Sequence, residues 1–593
     1  MPRHYSNAPK SKPKIKNWKG TVKRIWSYLS KEKGLLSLVI LMVFISSFLG
    51  LLGPFLVGMA IDDFIVTRDA GGLFQLILWL AVVYVVYSAA MWLQAYWMIG
   101  IAQNSVYRMR TELFQQLHKL PIPFFDRRQH GELMSRVTND MENVSSTLNS
   151  SMIQIFSSVL TLLGTVGVML WLSPLLTLIT MLIIPAMFLG LKWITNRTGK
   201  LFKETQKNLG DLNGYIEETV SGQRIVKTFS QEEKVMDDFL VKSDRLKASA
   251  YWAATYSGFI PKLMNMLNNL SFAVIAGVGG ILAVQGIITI GVIVIFTEYA
   301  RQFTRPLNDL ANQFNTLLSA VAGAERVFEI LDEEHEEKNE RRAASVNEIK
   351  GEIEFSHVTF SYDKETKTVE DISFKAKPGQ TIALVGPTGA GKTTITNILS
   401  RFYDHDEGKI TIDGKDLREI KRESLRKHMG FVLQDSFLFQ GTIRENIRYG
   451  RLNASDSEVE KAAREANAHS FIMKLPDQYD TVLTQDGGGI SQGQKQLLSI
   501  ARAILSDPSL LILDEATSSI DTVTEVKIQE ALQRLMKGRT SIVIAHRLNT
   551  IQSADQILVL QDGRITERGS HEELLEQKGF YSELYNSQLR EIS

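Results

Sequence analysis

Long apolar runs fill the first half of the chain, whereas apolar residues in the second half come in short stretches between polar ones. A helix needs about 20 apolar residues to cross a hydrocarbon core about 30 Å thick. Six runs reach that length, at residues 35–60, 73–99, 151–172, 175–195, 263–285 and 289–308. Because backbone groups in lipid must be hydrogen-bonded within their own helix, this half is predicted to be a bundle of six transmembrane helices.

Basic residues are concentrated before the first span, where residues 1–34 contain ten Lys or Arg and the single acid Glu32. Such segments stay on the cytoplasmic side, so we expect the N-terminus in the cytoplasm of a cell-membrane protein. Six crossings then place the C-terminus on the same side. The charged segments 102–150 and 196–261 lie between spans, and they are predicted to form long helical extensions into the cytoplasm.

Some polar residues lie inside the predicted spans. Glu298 and Arg301 stand near the middle of the last span, with Arg305 one turn further on. Charges at that depth are costly and face a bundle interior or an aqueous cavity. We predict that Glu298 and Arg301 line a substrate cavity, and the alternative is a structural ion pair at the i, i+3 spacing. The asparagines of the fifth span are expected to bond between helices.

Residues 386–394 carry the pattern of a phosphate-binding loop, Gly-Pro-Thr-Gly-Ala-Gly-Lys-Thr-Thr. A strand-like run precedes it and a helix-like run follows, which is the context that this loop requires. Backbone N–H groups can then converge on a phosphate at a helix N-terminus. Lys392 is expected to bind the β- and γ-phosphates of ATP, and Thr393 to ligate Mg²⁺. The predicted ATP-binding residues here are Gly386, Thr388, Gly389, Ala390, Gly391, Lys392, Thr393 and Thr394.

A second strand-like run, at residues 510–513, ends in two acids. Its apolar composition predicts a strand buried on both faces of a parallel sheet, and ligands bind at the carboxyl ends of such strands. Asp514 is therefore expected to hold Mg²⁺, and Glu515 to orient and deprotonate the attacking water. General-base catalysis of this kind is worth roughly 10²- to 10⁴-fold in rate.

The sequence Ile490-Ser491-Gln492-Gly493-Gln494 resembles Leu-Ser-Gly-Gly-Gln, the signature of the ATP-binding cassette (ABC) transporters. The resemblance extends over the whole chain and is to the exporter type. It implies that Ser491, Gln492, Gly493 and Gln494 contact ATP held by a partner domain. It further implies that Tyr362 stacks on adenine, that Gln434 senses Mg²⁺, that Asp521 crosses to the opposite site and that His546 contacts the γ-phosphate. Residues 124–136 and 214–229 resemble the exporter segments whose short helices dock onto the ATPase domains.

The signature departs from the family pattern at Gln492, where the family has glycine. Lys392, Asp514, Glu515 and His546 all keep the expected residue types. A sound catalytic core beside an altered signature is typical of one subunit of a heterodimer, and the chain is similar to the catalytic half of bacterial heterodimeric multidrug exporters. A homodimer that tolerates Gln492 is the alternative, and an ATP-gated channel or regulatory subunit is a further one.

Composition narrows the remaining possibilities. The 66 basic and 65 acidic residues nearly cancel, which disfavours a nucleic-acid partner. The absence of cysteine excludes disulfides and thiolate metal sites. We therefore predict a membrane α-helical bundle fused to an α/β P-loop ATPase domain, working with a second half-transporter on hydrophobic or amphipathic substrates in contact with membrane lipid. Its predicted parts are a basic segment at 1–34, the transmembrane domain at 35–320, a charged linker at 321–348 and the ATPase domain at 349–593.

Overall fold

The computed structural model describes residues 16–336, 343–363, 366–434, 436–484, 487–514, 520–545 and 548–592. The chain is divided into two compact units. The first unit comprises residues 16–118 and 129–333, and the second comprises residues 119–128 and 334–592. A ten-residue segment from the N-terminal half thus belongs to the C-terminal unit.

The first unit is built of helices, together with short π-helical turns. Its helices are α1 (Trp18–Leu29), α2 (Lys33–Met59), α3 (Ala70–Leu117), α5 (His130–Ser135), α6 (Met141–Ser146), α7 (Met152–Leu172), α8 (Pro174–Ser221), α9 (Gln223–Thr228), α10 (Glu232–Val284) and α11 (Ile290–Leu331), whereas α4 (Ile122–Asp126) belongs to the second unit. Every predicted span lies within one of these helices apart from a residue or two at its ends.

Four helical stretches among the described residues are long and apolar enough to cross a membrane. They are Trp18–Ile65, Ala70–Leu117, His130–Leu172 and Glu232–Val284. These four contain the first, second, third and fifth predicted spans. The fourth and sixth predicted spans lie in α8 and α11, so the number of crossings stays a prediction.

Helices α8 and α10 pack against each other along their length. They contain 48 and 53 residues, which at 1.5 Å per residue gives lengths of about 72 and 80 Å. A membrane core of about 30 Å leaves much of each helix outside the lipid. The short helix α9 joins them at the far end, where Val220, Ile225 and Phe229 are exposed.

The last helix of the first unit is longer than its predicted span. Helix α11 continues to Leu331, so residues 321–331, which the sequence analysis assigned to the linker, are helical. Val321, Ala324 and Phe328 within this stretch are buried. Their spacing of i, i+3 and i+7 places them on one face of the helix, which favours continued packing over a solvated linker.

The second unit has an α/β fold. Its strands are β1 (Ile353–Phe360), β2 (Val369–Ala376), β3 (Thr381–Val385), β4 (Glu407–Ile412), β5 (Lys415–Asp416), β6 (Met429–Val432), β7 (Gly441–Thr442), β8 (Val482–Leu483), β9 (Leu510–Asp514), β10 (Thr540–Ile544), β11 (Gln556–Gln561) and β12 (Arg564–Gly569). Its helices after α4 are α12 (Lys392–Leu399), α13 (Arg422–Lys427), α14 (Ile443–Arg448), α15 (Asp456–Glu465), α16 (His469–Ile472), α17 (Gln492–Ser506), α18 (Thr522–Met536), α19 (Leu548–Gln552), α20 (His571–Gln577) and α21 (Phe580–Ile592).

A six-stranded sheet with the order β12-β11-β3-β10-β9-β6 forms the centre of this unit. Strands β11, β3, β10, β9 and β6 are parallel, and β12 is antiparallel at one edge. A second, antiparallel sheet has the order β2-β1-β4-β5. Residues 510–513 of β9 are buried, as expected for a strand covered on both faces of a parallel sheet.

Candidate active site

The register of the central sheet brings the candidate residues to one edge. Ile544 of β10 pairs with Leu384 of β3 on one side and with Asp514 of β9 on the other. Leu513 of β9 pairs in turn with Val432 of β6. Because these strands are parallel, the chain segments that leave their carboxyl ends emerge at the same edge of the sheet.

The phosphate-binding loop joins β3 to α12 at this edge. Gly391 caps α12 with a φ of 97°, and a Cβ atom there would lie 2.6 Å from Cγ1 of Val369. Only glycine combines that backbone conformation with such close packing. The helix therefore begins directly at Lys392, with its unpaired N–H groups turned toward the loop.

Lys392 is folded over the loop that precedes it. Its Nζ donates hydrogen bonds to the carbonyl oxygens of Gly386 at 2.7 Å and Pro387 at 2.9 Å. Burial lowers the pKa of this ammonium group, and the carboxylate of Asp514 partly opposes that shift. Lys392 is thus a desolvated cation held at the place where the pattern requires a phosphate ligand.

The other residues of the loop differ in their exposure to solvent. Thr388, Gly389 and Thr393 are exposed, Gly386 is half-buried, and Ala390, Gly391 and Thr394 are buried. The exposed members offer backbone and hydroxyl groups to a ligand. The buried members fix the loop against the core.

All three predicted metal-binding residues stand at this edge of the sheet. Thr393 lies in the first turn of α12, Asp514 is the half-buried last residue of β9, and Gln434 is exposed two residues beyond β6. Their hydroxyl, carboxylate and amide oxygens are hard donors of the kind that Mg²⁺ prefers. The residues present therefore fit this ion. Glu515 and His546, the predicted base and γ-phosphate contact, lie outside the described residues.

Tyr362 follows β1 and has 39% of its surface exposed. Its ring lies edge-on to the rings of Phe360 and Tyr403, each at a centroid distance of 4.9 Å. Its hydroxyl accepts a hydrogen bond of 3.1 Å from Nδ2 of Asn397 on α12. The ring is thus fixed by its neighbours while a large part of its surface is open to a stacking partner.

The signature segment begins helix α17. Ser491 caps the helix, because its hydroxyl accepts from the N–H of Gln494 at 3.3 Å while Oε1 of Gln494 accepts from the N–H of Ser491 at 2.9 Å. Gln492, the first helical residue, is exposed. Gly493 is buried, and a Cβ atom there would lie 2.5 Å from Cγ2 of Thr524.

Helix α18 packs beside α17 and begins after Asp521. Oδ1 of Asp521 accepts a hydrogen bond of 2.9 Å from the N–H of Thr524, and this bond lowers the pKa of the carboxyl group. The contact of Gly493 with Thr524 therefore joins the signature helix to the helix that Asp521 caps.

Tyr403 is a residue that the sequence analysis did not identify. Its hydroxyl donates a hydrogen bond of 2.7 Å to Oδ2 of Asp126, in the ten-residue segment of the second unit. Glu336 contacts the same segment, since its N–H donates a hydrogen bond of 2.9 Å to the carbonyl oxygen of Lys119. No local pattern indicated either contact, because the partners are far apart in the sequence.

Glu298 and Arg301 of α11 lie in the first unit. Oε1 of Glu298 is 3.7 Å from Nη1 of Arg301, and their side chains are 44% and 59% exposed. The guanidinium carbon of Arg301 is also 5.9 Å from the centre of the Phe272 ring on α10. The two side chains thus form an ion pair, and about half of the surface of each remains exposed.

Comparison with known proteins agrees with this arrangement. Residues 36–307 match the family described as ABC transporter transmembrane region, and residues 369–518 match the family described as ABC transporter. The chain is 65% identical over 588 residues to the ABC transporter ATP-binding protein YfiC of Bacillus subtilis, covering 99% of this chain and 97% of that protein.

Two further relatives carry names that describe a substrate. A fatty acid ABC transporter ATP-binding/permease protein of Mycobacterium tuberculosis is 44% identical over 508 residues, which are 85% of this chain and 80% of that protein. An ATP-dependent lipid A-core flippase of Syntrophus aciditrophicus is 37% identical over 537 residues, which are 91% of this chain and 89% of that protein.

The predicted fold, a helical transmembrane region joined to an α/β ATPase domain, is confirmed by these matches together with the two units of the structure. The chain therefore belongs to the ABC transporter family, as an ATP-hydrolysing half-transporter of the exporter type.

Proposed function

We propose that this chain is one subunit of a heterodimeric exporter that moves hydrophobic or amphipathic compounds, of the multidrug type, out through the cell membrane. In this proposal the chain crosses the membrane six times, and both of its termini lie in the cytoplasm. The observation that carries the proposal is the exposed, capped start of α17, where Ser491 and Gln492 face away from the core of their own domain. In the family this surface binds ATP held by a second subunit.

The difference between Gln492 and Gly493 supports a heterodimer. Gly493 packs against Thr524 within its own domain, so a side chain there would displace a helix. Gln492 is exposed and disturbs nothing in its own domain. Its side chain instead adds bulk where the partner's phosphate has to approach, so the ATP site built on this signature is slow or inactive. The other ATP site, which contains Lys392, is completed by the standard signature of the partner.

The far end of the α8–α10 pair also supports a two-subunit assembly. Val220, Ile225 and Phe229 are 68%, 65% and 69% exposed in the single chain. Three large apolar side chains are unfavourable when they face water, whereas they stabilise an interface when a partner covers them. The occupant we assign to this surface is the ATPase domain of the second half-transporter.

The catalytic roles follow from position at the sheet edge. Lys392 exchanges its two carbonyl partners for phosphate oxygens, and the first N–H groups of α12 bind the same anion. Thr393, Asp514 and Gln434 would hold Mg²⁺, which would supply positive charge to offset that of the phosphates. Glu515 orients and deprotonates the attacking water, and His546 contacts the γ-phosphate. ATP drives transport because it binds the closed pair of domains more tightly than the open pair.

The substrate class is supported by the two relatives whose names mention a fatty acid and a lipid. Both compounds are amphipathic. A homodimeric exporter of lipids or drugs is the second candidate. It is favoured by the intact helix cap at Ser491 and Gln494, which leaves the rest of the signature in working order.

A single reconstitution series tests the proposal. The chain is purified alone and together with a half-transporter of the same genome that carries a standard signature, and each sample is placed in liposomes. We expect ATP hydrolysis and uptake of amphipathic dyes only from the pair. Glu515→Gln should retain ATP binding and lower the hydrolysis rate by about 100-fold or more. Full hydrolysis and transport by the chain alone would favour the homodimer.

A further inference from the structure

We propose that Arg301 and Arg305 form a binding site for the anionic headgroup of the transported amphiphile, a carboxylate or a phosphate. The inference rests on the proposed function, because it assigns a substrate class to the exporter. Both arginines lie on α11, four residues apart, and four-residue spacing places side chains on one face of a helix.

Two contacts fix the register between α10 and α11. A Cβ atom on Gly279 would lie 3.0 Å from Cγ1 of Ile293, and the Phe272 ring lies 5.9 Å from the guanidinium carbon of Arg301. Seven residues along α10 thus correspond to eight residues in the opposite direction along α11. Continuing this antiparallel register by one turn brings Asn269 to the level of Arg305.

The depth of the two arginines is unusual for a cation. Helix α11 begins at Ile290, and at 1.5 Å per residue Arg301 and Arg305 lie about 16 and 22 Å further along it. Both positions fall within a hydrocarbon core about 30 Å thick. An arginine facing lipid at this depth is costly, so the open side of these two residues faces a cavity that admits water or a ligand.

The nearby acids do not satisfy the two guanidinium groups. Nη1 of Arg301 lies 3.7 Å from Glu298, and Nε of Arg305 lies 4.0 Å from Asp309, so neither ion pair is within hydrogen-bond distance. The carboxylate of Asp309 instead accepts a hydrogen bond of 2.7 Å from Gln154 of α7. The described residues offer neither guanidinium an acceptor within hydrogen-bond distance. The side chain of Arg305 is 88% exposed.

The facing surface of α10 has the composition of an amphiphile site. Lys262, Asn265, Asn269 and Phe272 are spaced by three or four residues and are all exposed, so they share one face of the helix. With Lys262, the facing surfaces of α10 and α11 contain three cations. The acids on α11 are two, Glu298 and Asp309. The amides can donate to an oxyanion, and Phe272 offers an apolar ring beside Arg301.

Arginine is suited to this ligand. Its planar guanidinium presents two parallel N–H donors, which match the two oxygens of a carboxylate or of a phosphate. A neutral hydroxyl accepts only a single, weaker hydrogen bond from these donors, and a cationic headgroup is repelled by them. The site should therefore select among amphiphiles of equal chain length by the charge of the headgroup.

The test compares three ligands that share one chain, oleate, oleoyl lysophosphatidate and oleyl alcohol. Their binding to the purified assembly without nucleotide is measured by equilibrium dialysis. We expect at least one of the two anions to bind about tenfold more tightly than oleyl alcohol, and the stronger anion identifies the source of the headgroup. Arg305→Ala should remove this preference, whereas Arg305→Lys, which keeps the charge but not the paired N–H donors, should retain part of it.

Arg197→Ala is the matched control, since Arg197 is also exposed but lies on α8 in the predicted cytoplasmic extension. It should retain the preference for the anion. Equal binding of all three ligands by the unsubstituted assembly, or an undiminished preference in Arg305→Ala, would overturn the proposed site. If anion binding is selective but no ATP-driven transport occurs, the proposed function fails while the site stands. If transport occurs without selectivity, only the site fails.

Discussion

The phenolic hydroxyl of Tyr403 donates a hydrogen bond of 2.7 Å to the carboxylate of Asp126, 277 positions earlier in the chain. Burial and this hydrogen bond raise the pKa of Tyr403, so the hydroxyl stays protonated to a higher pH than that of a free tyrosine. The ring of the same residue lies 4.9 Å from the ring of Tyr362. One side chain therefore contacts both the predicted adenine-stacking residue and the segment 119–128.

Tyr403→Phe should weaken the communication between ATP and the transported compound. The substitution retains the ring contacts with Phe360 and Tyr362 but removes the hydrogen bond to Asp126. A hydrogen bond to a charged group is worth about 1.5–3 kcal/mol. We expect the ratio of substrate-stimulated to basal ATP hydrolysis to fall about threefold or more, measured in liposomes. An unchanged ratio in Tyr403→Phe would show that this contact carries no coupling.

Glu336→Gln should destabilise the second unit. The Glu336 carboxylate makes two bonds to Arg426, at 2.8 and 3.1 Å, and lies 3.7 Å from the buried Arg422. Its loss leaves the partly buried Arg426 without this carboxylate, whereas Arg422 keeps its bond of 2.7 Å to Asp404, and we expect a cost of about 1–3 kcal/mol. We expect a lower unfolding midpoint of the full chain in detergent. Glu423→Gln breaks the exposed pair with Lys427 and should change the free energy of unfolding by about 0.5 kcal/mol or less.

The affinity for ATP should fall as the pH rises into the alkaline range. Burial lowers the pKa of Lys392 from its ordinary value, so the free protein loses this positive charge at a lower pH than an exposed lysine does. Bound triphosphate raises the pKa again, and by linkage the protonated form binds ATP more tightly. Titration of ATP binding between pH 7 and 10 with a fluorescent analogue should show the decline. Lys392→Arg, which keeps its charge over this range, should show a smaller one.

The two adjacent signature positions should respond in opposite directions. Gln492→Gly removes an exposed side chain, so it should raise ATP hydrolysis at the site built on this signature. Gly493→Ala introduces a Cβ atom 2.5 Å from Thr524 and 3.1 Å from Ile520, so α17 or α18 must shift and hydrolysis at that site should fall. Both variants are assayed in a chain that also carries Lys392→Ala, which silences the other site, while the partner's phosphate loop is left intact. Identical rates for Gln492→Gly and the unsubstituted chain would contradict the heterodimer proposal.

Local patterns predicted the elements that depend on nearby residues. The loop at Lys392 follows a buried strand and begins a helix, as its pattern requires, and Ser491 caps α17. These features involve residues a few positions apart, so the sequence itself contains the geometry. Glu515 and His546 stay predictions, because they lie outside the described residues.

Contacts between distant parts of the chain could not be predicted in this way. Tyr403 and Glu336 bind the segment 119–128, and nothing near either residue indicates that partner. The extension of α11 to Leu331 is different, since its signal was present. Val321, Ala324 and Phe328 recur at i, i+3 and i+7, but the acidic residues that follow drew the predicted boundary too early.

The length of the α8–α10 pair has a mechanical consequence. Each helix contains one internal proline, Pro185 and Pro261, and a proline deletes a backbone hydrogen bond where it stands. Gly190 of α8 packs against Leu263 of α10, so the two weakened points lie about two helical turns apart along the pair. Bending there costs the least free energy, and the part of the pair between this region and Gly222 moves as a rigid body. Over the roughly 48 Å to the turn at Gly222, a tilt of about 5° displaces the tip by about 4 Å, which turns a slight adjustment in the lipid into a movement the size of a side chain.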